Sequence, residues 1–320
     1  MDKHLFFVTS PLHQIIVKQI IKNEEKSEID IITTKEFKQE FDNFDPYIFY
    51  SFGTNKNILF KFFYLIINST LKINKEYKNV YIPNDVNIFI QIILGKLKYD
   101  KLIYFDDGST ALYRLQGKKS NRKLLKKVLN LEPTTQLLSS KKIEKAYVLF
   151  PDILKKFRSD IEYINLKLIL EDINMDYSFE IDDKYLYPDF IIFTQPLTGD
   201  NHCSNNEEIK VIKSFLDDNT NKKIVIKVHP REKTRRYDRF KSYDNVFIFP
   251  SKFKNTPYQV LHNTIKPKAI VTFFSSILFS VNSLDENFRR ISLVKRLKSN
   301  NNLFHDLKKL KDYFDDLEFY

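Results

Sequence analysis

Cysteine occurs once in this chain of 320 residues, at Cys203. That excludes an internal disulfide framework and a cysteine-built zinc site, and it leaves Cys203 as a neutral bystander. Long apolar runs are also missing. The longest, residues 58–67, is broken by Lys61 and falls short of the roughly 20 residues that span a bilayer. The apolar run that ends at Val8 is too short for a signal peptide and meets Ser10-Pro11 almost at once. A cytoplasmic protein is expected. Glycine is scarce: Gly53, Gly95, Gly108, Gly117 and Gly199 are all there are. There is no Walker loop, no Gly-x-Gly-x-x-Gly fingerprint and no His-Glu-x-x-His. No Asp-x-Asp pair follows a strand, and the six histidines are dispersed. No metal site is expected.

What is present is basic and apolar. The formal net charge is +11, with 42% hydrophobic and 29% charged residues. The balance suits a folded core rather than disorder. A positive surface raises three partners: nucleic acid, a membrane surface or an anionic substrate. The chain is crowded with Lys, Asn and Ile, so part of the lysine excess is solvated surface. No basic helix or nucleic-acid recognition motif appears, which argues against nucleic acid. The pairs Lys118-Lys119, Arg122-Lys123 and Lys126-Lys127 suit contact with anionic lipid.

Short apolar runs alternate with amphipathic segments along the whole chain. Strands are read at Leu5–Thr9, Ile29–Ile32, Tyr47–Tyr50, Val80–Ile82 and Leu102–Phe105, with helices at Leu12–Ile21, Asn57–Leu71 and Val86–Leu94. The second half repeats the theme. Its strands are Phe190–Phe193, Ile224–Val228, Val246–Phe249, Ala269–Phe273 and Ile291–Val294. Its helices are Glu207–Leu216, Ser276–Val281 and a terminal one at Asn302–Leu317. This is the pattern of an α/β chain with parallel sheets. The polar stretch Glu171–Pro188 is read as a linker, giving domains at 1–178 and 179–320, with the last helix returning to the first domain. Ligands of open parallel sheets bind at the carboxyl ends of strands, and two such domains would face a central cleft.

Strand ends are therefore where chemistry is sought. Lys227-Val228-His229-Pro230-Arg231 ends a strongly apolar strand. A histidine there can donate a proton or a charge-assisted hydrogen bond near neutral pH. Lys227, Arg231, Lys233, Arg235 and Arg236 make a concentrated positive field suited to phosphate. Ser275-Ser276 stand at a strand-to-helix junction, where hydroxyls cap a helix or bind an anion. Tyr258-Gln259, after Pro257, open another helix and offer an aromatic ring and an amide to a base and a ribose. Asp106-Asp107-Gly108 and Gly199-Asp200 follow strands. In so glycine-poor a chain, their glycines are expected where the backbone needs positive φ or a close approach.

Together these motifs resemble the bacterial sialyltransferases of GT-B architecture, which carry an acidic-acidic-Gly motif, a His-Pro motif and a Ser/Thr pair in that order. Thr9-Ser10-Pro11-Leu12 and Phe193-Thr194-Gln195-Pro196-Leu197-Thr198-Gly199-Asp200 are similar to glycosyltransferase family 52 in particular. The resemblance implies two Rossmann-like domains. It also implies inverting, metal-independent transfer of sialic acid from CMP-sialic acid to a terminal sugar, galactose foremost, of a lipooligosaccharide or capsular glycan. It implies no cofactor, a donor and a glycan acceptor that can be lipid-linked, and a homodimer as one assembly. His229 would serve the departing CMP phosphate, with Ser275, Ser276, Lys227 and Arg231 holding it. Gln195 and Pro230 would belong to the substrate site, with Asp106 and Gly108 beside them. Tyr258 and Gln259 would contact the nucleotide, although relatives usually carry glutamate at the second position. The general base would be Asp107 or Asp200. The alternatives are another nucleotide-sugar donor or a basic nucleic-acid or membrane-surface module.

Overall fold

A computed structural model describes residues 2–22, 27–34, 47–49, 76–106, 131, 137–166, 179–281, 288–298, 308 and 317–320. The chain divides into two compact units, Met1–Ile169 and Leu170–Tyr320. The expected helix at 57–71, the basic pairs at 118–127 and residues 171–178 of the expected linker lie outside the described residues.

The first unit carries a seven-stranded sheet, ordered β3-β2-β1-β4-β5-β6-β7 and parallel throughout. Its strands are β1 (Lys3–Val8), β2 (Glu28–Thr34), β3 (Tyr47–Phe49), β4 (Glu76–Ile82), β5 (Lys98–Phe105), β6 (Ile143–Val148) and β7 (Glu162–Asn165). Helices α1 (Pro11–Lys22), α2 (Ile88–Leu94) and α3 (Pro151–Lys155) connect them. Central strands are apolar on both sides because helices cover both faces of such a sheet. Leu5, Val80, Ile82 and Tyr104 are fully buried in one core cluster.

The second unit carries a six-stranded parallel sheet, ordered β10-β9-β8-β11-β12-β13. The strands are β8 (Phe190–Phe193), β9 (Ile224–Lys227), β10 (Val246–Ile248), β11 (Ala269–Thr272), β12 (Arg289–Ser292) and β13 (Leu317–Phe319). Every residue of β8, β9 and β11 is buried. Helix α4 (Asn205–Asp217) opens on Ser204, whose hydroxyl accepts the Glu207 N–H, a cap on an otherwise orphaned donor. A 3₁₀ segment (Thr234–Ser242), α5 (Tyr258–Ile265), the short α6 (Ile277–Ser280) and three short 3₁₀ turns (Asp183–Tyr185, Ser251–Phe253 and Val294–Arg296) complete the described helical elements of this unit. The chain closes on strand β13, with Leu317 inside it, where the sequence predicts the last residue of a helix. The rest of that expected helix lies outside the described residues, apart from Lys308.

Candidate functional site

The carboxyl ends of β9, β8 and β11 lie side by side because those strands are neighbours in the sheet. Two successive residues after β8 join the three ends. The Thr194 N–H donates to the Lys227 carbonyl (3.2 Å), and the Thr194 hydroxyl accepts the His229 N–H (2.9 Å). Gln195 works on the other side. Its amide oxygen accepts the Phe274 N–H and its amide nitrogen donates to the Phe274 carbonyl, both at 2.5 Å. Gln195 therefore holds the loop carrying Ser275 and Ser276, as Thr194 holds the loop carrying His229. Sequence reasoning placed Gln195 at the substrate; the structure gives its amide to the backbone of a neighbouring loop.

The His229 loop is a tight turn. The Glu232 N–H donates to the His229 carbonyl (3.0 Å), with Pro230 at the second position, where its fixed φ favours such turns. The Arg231 N–H donates to His229 Nδ1 (3.1 Å). That bond makes Nδ1 an acceptor and places the proton of the neutral ring on Nε2. Burial, then the positive charges of Arg231 and Lys227, push His229 down to about 4. At neutral pH the ring is an uncharged Nε2–H donor. Lys227, the last residue of β9, is buried and donates to the Lys254 carbonyl (3.1 Å). Burial and the charge of Lys254 push its ammonium down to about 8. Desolvation weakens the charged form of both groups, and a bound anion would restore it.

Asp200 sits in a turn after β8 and pairs with Arg231 at both ends of the guanidinium, at 3.1 and 2.9 Å. Gly199 needs neither of the special conformations expected of it. It has no positive φ, and a Cβ there would be in ordinary contact with Pro196, at 3.5 Å from its carbonyl oxygen and 4.0 Å from its Cβ. The left-handed residue of the turn is Asn201, at φ 58°, a position asparagine tolerates well. Cys203 is buried, and burial together with Glu208 and Glu207 pushes its thiol up to about 12, which keeps it protonated.

Behind the loop lies a network absent from the sequence reading. Thr194 donates to Glu232 Oε2 (2.5 Å), while Tyr237 (2.9 Å) and Arg236 (2.5 Å) donate to its other oxygen. Arg236 also reaches Glu208 (2.7 Å), a fully buried carboxylate that accepts from Thr198 (3.1 Å) and Tyr237 (3.3 Å). Burial pushes Glu232 upward despite these bonds. The only signal in the sequence was a polar residue, Thr194, directly after an all-apolar strand.

The remaining expected site residues differ in what their side chains meet. Tyr258 and Gln259 are buried, with the Tyr258 hydroxyl against His262 (2.7 Å) and the Gln259 amide donating to Ser280 (3.0 Å). In this state their polar ends are given to the interior. Ser275 and Ser276 are half-buried. Ser275 accepts the Ile277 N–H at 3.4 Å, and Ser276 makes no side-chain cap. Asp106 closes β5 in the first unit, buried, its N–H on the Tyr147 carbonyl (2.9 Å). Asp107 and Gly108 lie outside the described residues. Among the described residues no cluster of three or more His, Cys, Asp or Glu could hold a metal ion, and no helix is long and apolar enough to cross a membrane.

The model of glycosyltransferase family 52 matches residues 11–297. The chain belongs to glycosyltransferase family 52. An uncharacterized protein of Haemophilus influenzae is 35% identical over 140 residues, covering 41% of this chain and 43% of that protein. The match thus spans less than half the length of that relative. Among solved structures, an α/β-galactoside α-2,3-sialyltransferase from Photobacterium phosphoreum matches with TM-score 0.53 and 17% identity over 99% of this chain and 98% of that one. A UDP-GlcNAc 2-epimerase from Methanocaldococcus jannaschii matches with TM-score 0.61 and 12% identity over 100% and 89%. At these identities the likeness is one of fold, the GT-B type with two Rossmann-like parallel-sheet domains.

Proposed function

We propose that this family 52 enzyme is an inverting, metal-independent sialyltransferase. It takes sialic acid from CMP-sialic acid and attaches it to a sugar hydroxyl, galactose foremost, on a bacterial surface glycan. The observation that carries the reading is the His229 turn. A neutral Nε2–H donor stands at a strand end flanked by Lys227 and Arg231. Loss of CMP leaves an oxocarbenium-like sugar and a phosphate that gains negative charge. Fixed donors aimed at developing charge are usually the largest catalytic contribution. In the free enzyme His229 is already deprotonated at neutral pH, so its first service is a hydrogen bond from Nε2–H. Beside the donor phosphate its proton affinity rises, so the ring can take up a proton from water at Nδ1 or keep both nitrogens protonated as imidazolium, and that imidazolium gives one proton to the departing phosphate as general acid. Lys227 and Arg231 supply the positive charge a metal ion would otherwise bring, and the Ser275–Ser276 loop, held by Gln195, supplies hydroxyls.

The base is a carboxylate, Asp200 or Asp107. Each Asp200 oxygen accepts one Arg231 N–H and keeps a further lone pair for the acceptor proton. The enzyme works in the cytoplasm, at the inner face of the membrane when the acceptor is lipid-linked. Thermal shift with CMP, UDP and GDP, each with and without EDTA, tests the donor. CMP alone is expected to raise Tm, equally in EDTA. A shift with UDP or GDP and none with CMP replaces the donor by another nucleotide sugar.

A further inference from the structure

Beside the His229 turn, on the side of α4 and the 3₁₀ segment, the second unit holds an open cavity of about 690 Å³. Pro196, Gly199, Arg231, Lys233, Arg235 and Arg236 line it. The volume is that of a small-molecule site and accommodates one or two sugar rings. Its four cations are not equivalent. Arg231 is engaged by Asp200. Arg236 is engaged by Glu208 and Glu232. Among the described residues, Lys233 and Arg235 have no carboxylate within ion-pair distance, and both are exposed. Glu232 also borders the cavity, but its carboxylate oxygens accept from Thr194, Tyr237 and Arg236.

Two of the cations are therefore compensated, while Lys233 and Arg235, both exposed, have no balancing carboxylate among the described residues. Two like charges brought to one concave surface repel each other, and a concave wall focuses their field on whatever enters. An anion relieves that repulsion. Pro196 and Gly199 add lining without side-chain donors or acceptors, against which a sugar ring can lie, and Thr198 and Asn205 add polar groups beside it.

We propose that this cavity is an anion subsite for a sugar carrying a phosphate or carboxylate group, separate from the site of the nucleotide. Lys233 and Arg235 contact the anion, and the lining at Pro196 and Gly199 takes the ring. Such a subsite selects acceptor glycans that carry a negative group near the hydroxyl to be modified. This last step rests on the transferase reading; the binding itself does not.

Calorimetric titration of the full-length protein at low salt tests the site, using glucose 6-phosphate, glucuronate and glucose as probes. The phosphate and carboxylate sugars are expected to bind and neutral glucose is not. Binding of only one anionic sugar assigns the subsite to that group. The double variant Lys233→Ala/Arg235→Ala should weaken binding by about tenfold or more, the loss of one good charge-assisted contact. The double variant Lys210→Ala/Lys222→Ala removes the same charge from exposed positions elsewhere on the unit and should leave binding within about twofold, the change expected of exposed charges outside a contact. Equal weakening in both double variants would show a general field and overturn the subsite, as would absence of binding to the wild type at 20 mM probe, about 2.3 kcal/mol of standard binding energy. The rise in Tm with CMP should survive in Lys233→Ala/Arg235→Ala. Its loss there alone assigns these cations to the nucleotide and overturns a separate subsite. Its absence in the wild type, with anionic sugars still bound, overturns the CMP donor and leaves the subsite standing.

Discussion

Asp85 in the first unit and Glu232 in the second are both carboxylates taken out of water, and burial pushes both upward from the usual carboxylate range. Their partners differ. Asp85 accepts three successive backbone N–H groups, from Leu138 (2.8 Å), Ser139 (2.7 Å) and Ser140 (2.8 Å). Leu138 has a left-handed φ of 58°, and the three donors turn toward one anion. Arg158 fastens the same loop by donating to the Ser140 carbonyl (2.6 Å). This is a knot of main chain, and it ends in main chain. Glu232 is held by side chains instead, and through the Thr194 hydroxyl its network ends on the backbone of His229. A buried carboxylate satisfied by amides fixes a loop. One satisfied by a hydroxyl, a phenol and a guanidinium fixes a loop through side chains and ties it to the backbone of His229.

The sharpest way to break this comparison is to remove what each network serves. His229→Ala should lower kcat by about 10²–10⁴-fold while leaving Tm and the CMP-induced shift close to those of the wild type. Full turnover in that variant would remove His229 from the chemistry. Asp85→Ala should do the reverse. It strands three buried donors, at about 1–3 kcal/mol each, so Tm should fall by several degrees or the chain should fail to accumulate. The turnover of the molecules that remain folded should be unchanged. If Asp85→Ala lowered kcat in folded enzyme, the division between structural and functional carboxylates would fail.

Lys227 offers a test with the opposite sign. Its ammonium is buried and pushed down to about 8 from 10.5. The unfolded chain holds that proton more tightly, so below pH 8 the charge costs the fold on the order of 3 kcal/mol. Lys227→Met keeps the length and removes the charge. It should gain about 1–3 kcal/mol at pH 7, seen as a higher urea midpoint, while weakening the CMP response. Stability rising as nucleotide binding falls is the mark of a group retained for function. A loss on both counts would make Lys227 a packing residue.

How much of this was legible in the residues follows the same division. β8, β9 and β11 declare themselves because strands buried on both faces must be apolar throughout. The helix read at Glu207–Leu216 begins two residues earlier, at Asn205, where Ser204 and Glu207 form a capping pair that periodicity alone does not mark. β6 and β7 went unread. Ile143–Val148 carries Glu144 and Lys145, and Glu162–Asn165 forms the edge of its sheet, so neither needs to be apolar along its length. His229, Lys227 and Arg231 were legible as a basic strand end. Thr194, Glu208 and Glu232 were not, because polarity in a sequence does not tell whether a side chain meets water or another side chain. Tyr258 and Gln259 show the converse: a polar pair that opens a helix can still be given to the interior.

Glu232→Gln sharpens the comparison at the level of protonation. The amide keeps the size and an acceptor but removes the charge that faces Arg236 and Thr194. A moderate loss of turnover, about 3–30-fold, is expected, with a changed pH profile rather than a uniform drop. The profile is the informative part. His229 in the wild type is held at about 4, below its ordinary 6.5. The unfolded chain therefore takes up that proton first, and stability declines only as pH falls from about 6.5 to about 4, by on the order of 2–3 kcal/mol. In Glu232→Gln the Thr194 hydroxyl that accepts the His229 N–H loses its charged partner, so the turn around the ring changes and the acid limb of kcat/KM should shift. An NMR titration of the His229 ring in both proteins reads this directly. An unchanged ring titration with an equal fall in rate at every pH would reduce Glu232 to a strut like Asp85.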